Sequence, residues 1–182
     1  MLKAGMPAWV RKGQRKLVDH HAPEGRRINA VAALCARRER LVFECRSKSE
    51  GRYDGAAHLA FVRRVKQEAK QEAKQEAKQE AKQEAASDRP CVIVLDNYSV
   101  HRCGVVKDEM PALAAEGISF FFLPAYCPWL NEIEPLWRQV KYQDMPDRSH
   151  ETEASLRAAV EIALRSRDEA MRISNASLPA TA

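Results

Sequence analysis

Two stretches decide how this chain folds: CVIVLDNYSVH, Cys91 to His101, and FFFLPAYCPWLNEIEPLWRQVK, Phe120 to Lys141. The first opens with five apolar residues in a row and reads as a buried strand that ends at an acid, Asp96. The second starts inside another apolar run, Ile118 to Leu123, crosses a Pro-punctuated loop and delivers Glu134 to the start of a helix. Between them, from Gly104 to Glu116, the spacing is helical. Strand, helix and strand at this separation predict parallel neighbours, with both carboxylates reaching one edge of the sheet. Open α/β sheets place their chemistry at the carboxyl ends of such strands.

Read position by position, these stretches resemble the catalytic core of DDE (Asp-Asp-Glu) transposases. The closest branch is the bacterial insertion-sequence enzymes related to Tc/mariner elements. That family ends a strand in L-D-N-x-x-x-H, matched by Leu95, Asp96, Asn97 and His101. It sets its catalytic Glu in L-P-x-Y-x-P-x-L-N-x-I-E-x-x-W-x-x-x-K. Leu123, Pro124, Tyr126, Pro128, Leu130, Asn131, Ile133, Glu134, Trp137 and Lys141 match it. The two acids stand 38 positions apart, within the family's range.

The resemblance implies an α/β, RNase H-like fold, a mixed sheet flanked by helices, and Mg²⁺ (or Mn²⁺) chemistry of the two-metal type. Asp96 would be the shared metal ligand and Glu134 would complete one metal site. Carboxylates suit Mg²⁺, a hard cation that takes few protein ligands. Asn97, His101 and Asn131 would support them. Each acid also has a plain structural reading. Asp-Asn after a strand forms turns, and Asn131 with Glu134 has the spacing of a capping box. His101 would equally satisfy a loop carbonyl, and Trp137 reads as a core anchor. Lys141, a turn beyond Trp137, would approach a phosphate. Where many relatives carry Pro directly after the loop Asn, this chain has Glu132, and Pro135 follows Glu134 instead. Pro is tolerated in a first helical turn, so the helix is expected to start slightly later.

The rest of the chain surrounds this core. Met1 to Val18 reads as a hairpin turning at Gly13, and its Trp9-to-Gly13 spacing resembles the segment after the family's first catalytic strand. Asp19 to Arg27 is a polar loop, in which His20 and His21 lack a third metal ligand nearby. Ile28 to Cys35 and Leu41 to Arg46 read as antiparallel strands. A helix starts near Tyr53 and runs into five tandem KQEA units, Lys66 to Ala85. Their residues are good helix formers but bring like charges together at i,i+4 and offer no large apolar side chain. A solvated helical extension is expected there. Tyr142 to His150 reads as a loop, Glu151 to Met171 as an amphipathic helix, and residues 173–182 as a frayed tail.

With 182 residues and 45% hydrophobic content, the chain is long enough to bury one domain's core. Met1 to Ser47 holds eleven Lys and Arg against four Asp and Glu, a net of +7 against +5 overall, so the remainder carries −2. That basic third suits phosphate contacts, with Arg11, Lys12, Arg15 and Lys16 as candidates. DNA is the expected partner, as transposon ends and target, along with an upstream transposase fragment or a second copy. No apolar run approaches a membrane span, and the start lacks a signal-peptide core, so a cytoplasmic, nucleoid-associated protein is expected. The five cysteines show no C-x-x-C spacing, which argues against a disulfide framework or structural zinc site.

One family element is not found in this sequence. The first catalytic Asp belongs on a strand upstream of the W-x-x-x-G segment, and Trp9 lies too near Met1 for it. Asp19, Glu44 and Asp54 all fall downstream. The expectation is therefore a single partial catalytic domain, without its first, central strand and inactive alone. The rival expectation is a non-catalytic DNA- or transposase-binding remnant.

Overall fold

The computed structural model describes residues 3–4, 12, 17–18, 27–35, 40–79, 90–145 and 149–176. These divide into two compact units, one made of residues 1–52 and 132–182, the other of residues 53–131. Helices and both parallel and antiparallel strand pairs are present, so the α/β class is met. Trp9 and Gly13 of the expected segment, with Asp19, His20 and His21, lie outside the described residues.

In the first unit, β1 (Lys3–Ala4) pairs antiparallel with β2 (Leu17–Val18). A longer antiparallel ladder joins β3 (Ile28–Cys35) to β4 (Arg40–Ser47), with Ile28 opposite Ser47 and Cys35 opposite Arg40. Both strands match the sequence expectation within a residue. Leu41, Val42 and Cys45 of β4 are buried. Two helices supply the other side of this core. From α3 (Ile133–Gln139) and the turn that follows it come Leu136 and Val140. From α4 (Glu153–Ala176) come Ala163 and Leu164. Trp137 packs on the edge of the same cluster, as a core anchor should. Asp168 of α4 accepts a hydrogen bond from the Leu41 N–H at 2.8 Å, fixing the helix to the start of β4.

Two boundaries differ from the sequence reading. Instead of passing directly to a loop at Tyr142, the chain continues as a π-helical turn, Val140–Asp144, closed by Met145 N–H donating to the Val140 carbonyl at 3.0 Å. A forked ion pair holds this turn: Arg167 of α4 reaches both Asp144 oxygens, at 2.6 and 2.7 Å. Such turns insert one residue into a helix and re-aim the side chains beyond it. In addition, α4 reaches Ala176 where Met171 was expected to end it, and residues 177–182 lie outside the description.

The second unit contains the strand–helix–strand element. β5 (Cys91–Leu95) and β6 (Ile118–Phe122) are parallel, in the register Cys91 to Ile118 through Leu95 to Phe122, and α2 (Gly104–Ala115) joins them. Gly117, at φ +73°, makes the turn from α2 into β6, a conformation other residues resist. α1 (Gly55–Gln79) lies against α2 and carries the first KQEA units in one continuous helix; residues 80–89 are outside the description. Asp54 caps α1, its carboxylate accepting the Ala57 N–H at 2.9 Å. Leu59, Val62, Val106, Leu113 and Ile118 form the core, and Ile93, Cys91 and Phe120 pack on it. Arg63 of α1 reaches Glu116 and Glu109 beside α2, at 2.9 and 2.8 Å.

β5 corrects the expectation of a wholly buried strand. Val92 is 64% and Val94 51% exposed, and Phe121 of β6 is 58% exposed. Within this unit α1 and α2 cover one face of the pair, so alternate residues of an all-apolar run point away from the core.

Close packing at the start of α1 gives the first expected result. A Cβ on Gly55 would lie 2.5 Å from the Cys103 sulfur and 3.4 Å from the Val105 Cβ. Gly55→Ala should cost about 1–3 kcal/mol, an ordinary overpacking penalty. Adding Cys103→Ala should recover most of the loss in urea denaturation, and no recovery would place the strain elsewhere.

Candidate active site

Asp96 is the first residue past β5, and its surroundings are built by the local chain. Leu123 N–H donates to the Leu95 carbonyl at 2.8 Å, continuing the ladder one step past the strands. Asn97 then donates from Nδ2 to the Leu123 carbonyl at 2.8 Å. These two bonds tie the carboxyl ends of β5 and β6 together and fix the direction in which Asp96 leaves the sheet.

The Asp96 carboxylate takes both of its contacts on one oxygen. Oδ1 accepts the Tyr98 N–H at 2.9 Å, the turn that Asp-Asn sequences form. His101 Nδ1 lies 3.1 Å from the same oxygen and 3.5 Å from the Asp96 carbonyl. A 3-10 turn, Ser99–Arg102, brings His101 back over the acid. The Asp96 side chain is 48% exposed, the His101 side chain 14%. The turn expected of an Asp-Asn pair is therefore formed, and among the described residues both contacts fall on Oδ1. His101 thus lies against both the Asp96 carboxylate and the Asp96 backbone carbonyl.

Behind His101 sits a residue that periodicity alone does not single out. His58, on α1, is 2% exposed, and its ring lies 4.6 Å from that of His101, centroid to centroid, at 34°. Its Nδ1 is 3.1 Å from the Tyr53 hydroxyl, whereas its buried Nε2 has no hydrogen-bond partner among the described residues. Burial, aided by the nearby His101, lowers the His58 pKa from 6.5 to about 4. The available sequence signal was a histidine set among Leu59, Phe61 and Val62 on an apolar helix face.

That shift has a consequence for acid stability. Above pH 6.5 His58 is neutral in both the folded and the unfolded chain, and the shift has no effect. As pH falls from 6.5 toward 4, the unfolded chain takes up a proton that the folded ring resists, so stability declines. The loss at full protonation is about 3 kcal/mol. Urea midpoints at pH 7 and 4.5 should show this decline, and His58→Phe should flatten it. An unchanged decline in His58→Phe would assign it to another group.

Glu134 lies in the first turn of α3, in the other unit, with an exposed side chain. The capping box expected from Asn131 is not formed. Glu132 occupies the cap position with no side-chain hydrogen bond. Asn131 instead ends the 3-10 turn Pro128–Leu130, its N–H donating to the Pro128 carbonyl at 3.1 Å. The extra turn takes up the residues that a capping box would need, and Glu134 is left without that task. Pro135 falls inside the first helical turn, where its missing N–H costs nothing.

The loop between the two acids is rich in exposed aromatic surface. Tyr126 is 95% and Trp129 75% exposed, and Tyr126 holds φ +58°, which is unfavourable for any residue with a Cβ. Lys141 is exposed at the head of the π-helical turn, and Lys12 is exposed too. Arg11, Arg15 and Lys16 are outside the described residues. Within each unit, the described residues bring no three His, Cys, Asp or Glu side chains into a metal-holding group. Asp96 itself suits a hard cation, being a half-exposed carboxylate whose Oδ1 accepts the Tyr98 N–H and lies beside His101 Nδ1. None of the described helices is long and apolar enough to cross a membrane.

No curated protein and no solved structure matches the chain. A protein-family model described as DDE superfamily endonuclease matches residues 4–157, a span that includes Asp96, His101, Glu134 and Lys141. By that match, over most of its length, the chain belongs to the DDE superfamily endonucleases.

Proposed function

We propose that the chain is a catalytic part of an insertion-sequence transposase, RNase H-like in architecture, that cuts and joins DNA at transposon ends. Family membership implies a transposase-like nuclease, DNA as substrate and divalent metal as cofactor. The observation that supports the finer reading best is the anchoring of Asp96. Its backbone is fixed at the ends of two parallel strands, and its carboxylate is oriented through Oδ1 alone.

In this reading Asp96 and Glu134 hold Mg²⁺ or Mn²⁺. Two such ions, when bound, activate an attacking water or 3′-hydroxyl and stabilise the departing oxygen of a phosphodiester. Asn97 keeps the strand ends together, and His101 orients the Asp96 carboxylate. Asn131 ends the loop that leads to Glu134. Lys141 and the basic residues Arg11, Lys12, Arg15 and Lys16 neutralise DNA phosphates.

The first acid of the triad is proposed to be supplied by another polypeptide that carries a strand ending in Asp. Two acids within the chain are engaged otherwise: Glu44 pairs with Arg46 on β4, and Asp54 caps α1. The test mixes the full chain with a DDE-family transposase fragment that carries a strand ending in Asp, and follows Mg²⁺-dependent nicking of transposon-end DNA. Nicking that requires both components supports the proposal. DNA binding without nicking in the mixture would favour the binding remnant instead.

A further inference from the structure

We propose that His58 is a positioning residue of the Asp96 centre: its buried ring is the wall against which His101 is held, with Nδ1 directed at Asp96 Oδ1. This rests on reading Asp96 as a metal-binding acid, and it adds a residue that no family motif above includes.

The turn that carries His101 is weak. Ser99–Arg102 is a single 3-10 turn, a geometry with poorer hydrogen bonds than an α-helix. The outer torsion of a histidine is broad and two-fold, so the backbone does not decide which ring edge faces Asp96. A half-turn would exchange Nδ1 for a carbon and remove the contact at 3.1 Å. Something else must fix the ring.

Among the described residues, two aromatic rings pack against it. Tyr98 meets it edge-on at 5.7 Å, but Tyr98 is itself 57% exposed. His58 stacks on it at 4.6 Å and is 2% exposed, in a long helix anchored by Leu59 and Val62. Phe120 of β6 flanks His58 at 5.9 Å, and the Tyr53 hydroxyl holds its Nδ1. The rigid member of the stack is therefore His58, and a line of contacts runs from Tyr53 through His58 and His101 to Asp96. The depressed pKa of His58 keeps its ring neutral at pH 7, so it presents no charge to His101.

The chemistry requires a particular tautomer. An ionised carboxylate only accepts hydrogen bonds, so His101 must carry its proton on Nδ1 to bond Asp96. Groups that orient a ligating carboxylate in this way typically change metal affinity or activity 10–100-fold when lost.

The experiment compares the full chain with His58→Phe, His58→Leu and Tyr53→Phe, at a fixed pH of 7.5. Long-range ¹H–¹⁵N spectra report the His101 tautomer, and Mn²⁺ titration reports paramagnetic broadening of the Asn97 and Tyr98 amides. Native chain and His58→Phe, which keeps a flat ring, should show His101 protonated at Nδ1. His58→Leu should show averaged tautomers and a Mn²⁺ midpoint raised about 10–100-fold. Tyr53→Phe, which removes one hydroxyl, should shift both readouts in the same direction by less.

A His101 spectrum unchanged in His58→Leu would overturn the inference. If His58→Leu does not fold, an unchanged Tyr53→Phe spectrum overturns it equally. Failure of the underlying reading looks different. Mn²⁺ broadening that is absent, or indifferent to Asp96→Asn, would remove the metal role from Asp96 while leaving the His58–His101 arrangement intact.

Discussion

Asp96→Asn should abolish Mg²⁺-dependent nicking by the reconstituted transposase while leaving the fold unchanged. The substitution removes one charge and keeps the shape. An amide oxygen still accepts the Tyr98 N–H and the His101 Nδ1–H, so the turn after β5 survives. In the proposed function, what is lost is an anionic metal ligand at the place where charge develops on the phosphodiester. Metal-assisted stabilisation of that charge is worth several kcal/mol, and each 1.36 kcal/mol is tenfold in rate. A fall on the order of 10³-fold or more is expected on that basis. Nicking should be measured at saturating DNA, with circular dichroism and thermal unfolding as controls on the fold. Activity within tenfold of the native level would remove Asp96 from the reaction.

Leu164→Ala should be the most destabilising single truncation in the first unit. Leu164 is wholly buried in the cluster of Leu41, Cys45, Leu136, Val140 and Ala163, where α4 meets the β3–β4 ladder. Its neighbours come from strands and helices fixed by their own hydrogen bonds, including Asp168 on the Leu41 N–H, and cannot collapse freely into the void. Truncations of this kind cost about 2–5 kcal/mol. In a chain of this size that lowers the melting temperature by on the order of 10 °C. Ile162→Ala, on the same helix but 64% exposed, should change stability by about 0.5 kcal/mol or less. Equal effects from the two would mean that α4 presents a different face to the ladder.

These expectations show what a sequence makes readable. The β3–β4 pair, the crossover helix α2 and the parallel β5–β6 pair all follow from local periodicity, and each forms within a residue or two of its expected bounds. The place of Asp96 at the end of β5 is legible because a strand and a turn-forming Asp-Asn meet there. Other features depend on what packs against a segment. The run CVIVL states that both faces of β5 are apolar, but not that α1 and α2 cover only one of them in its unit. Asn131 and Glu134 have capping-box spacing, and the competing turn at Pro128–Leu130 consumes it. The π-helical turn after Val140 depends on Arg167, more than twenty residues away. His58 is the clearest case. Its sequence position says only that a polar ring interrupts an apolar helix face, whereas its contact with His101 is created by folding.

The proposed function requires Asp96 and Glu134 to hold divalent ions together, and localised cleavage by bound Fe²⁺ tests this most directly. Fe²⁺ in place of Mg²⁺, with ascorbate and peroxide, generates radicals that cut the backbone beside the ion. The account predicts two sets of cuts in the full chain, near Asp96 and near Glu134, competed by Mg²⁺ and lost together in Asp96→Asn and in Glu134→Gln. Cuts at one acid that persist when the other is replaced, or no cuts at either, would contradict it.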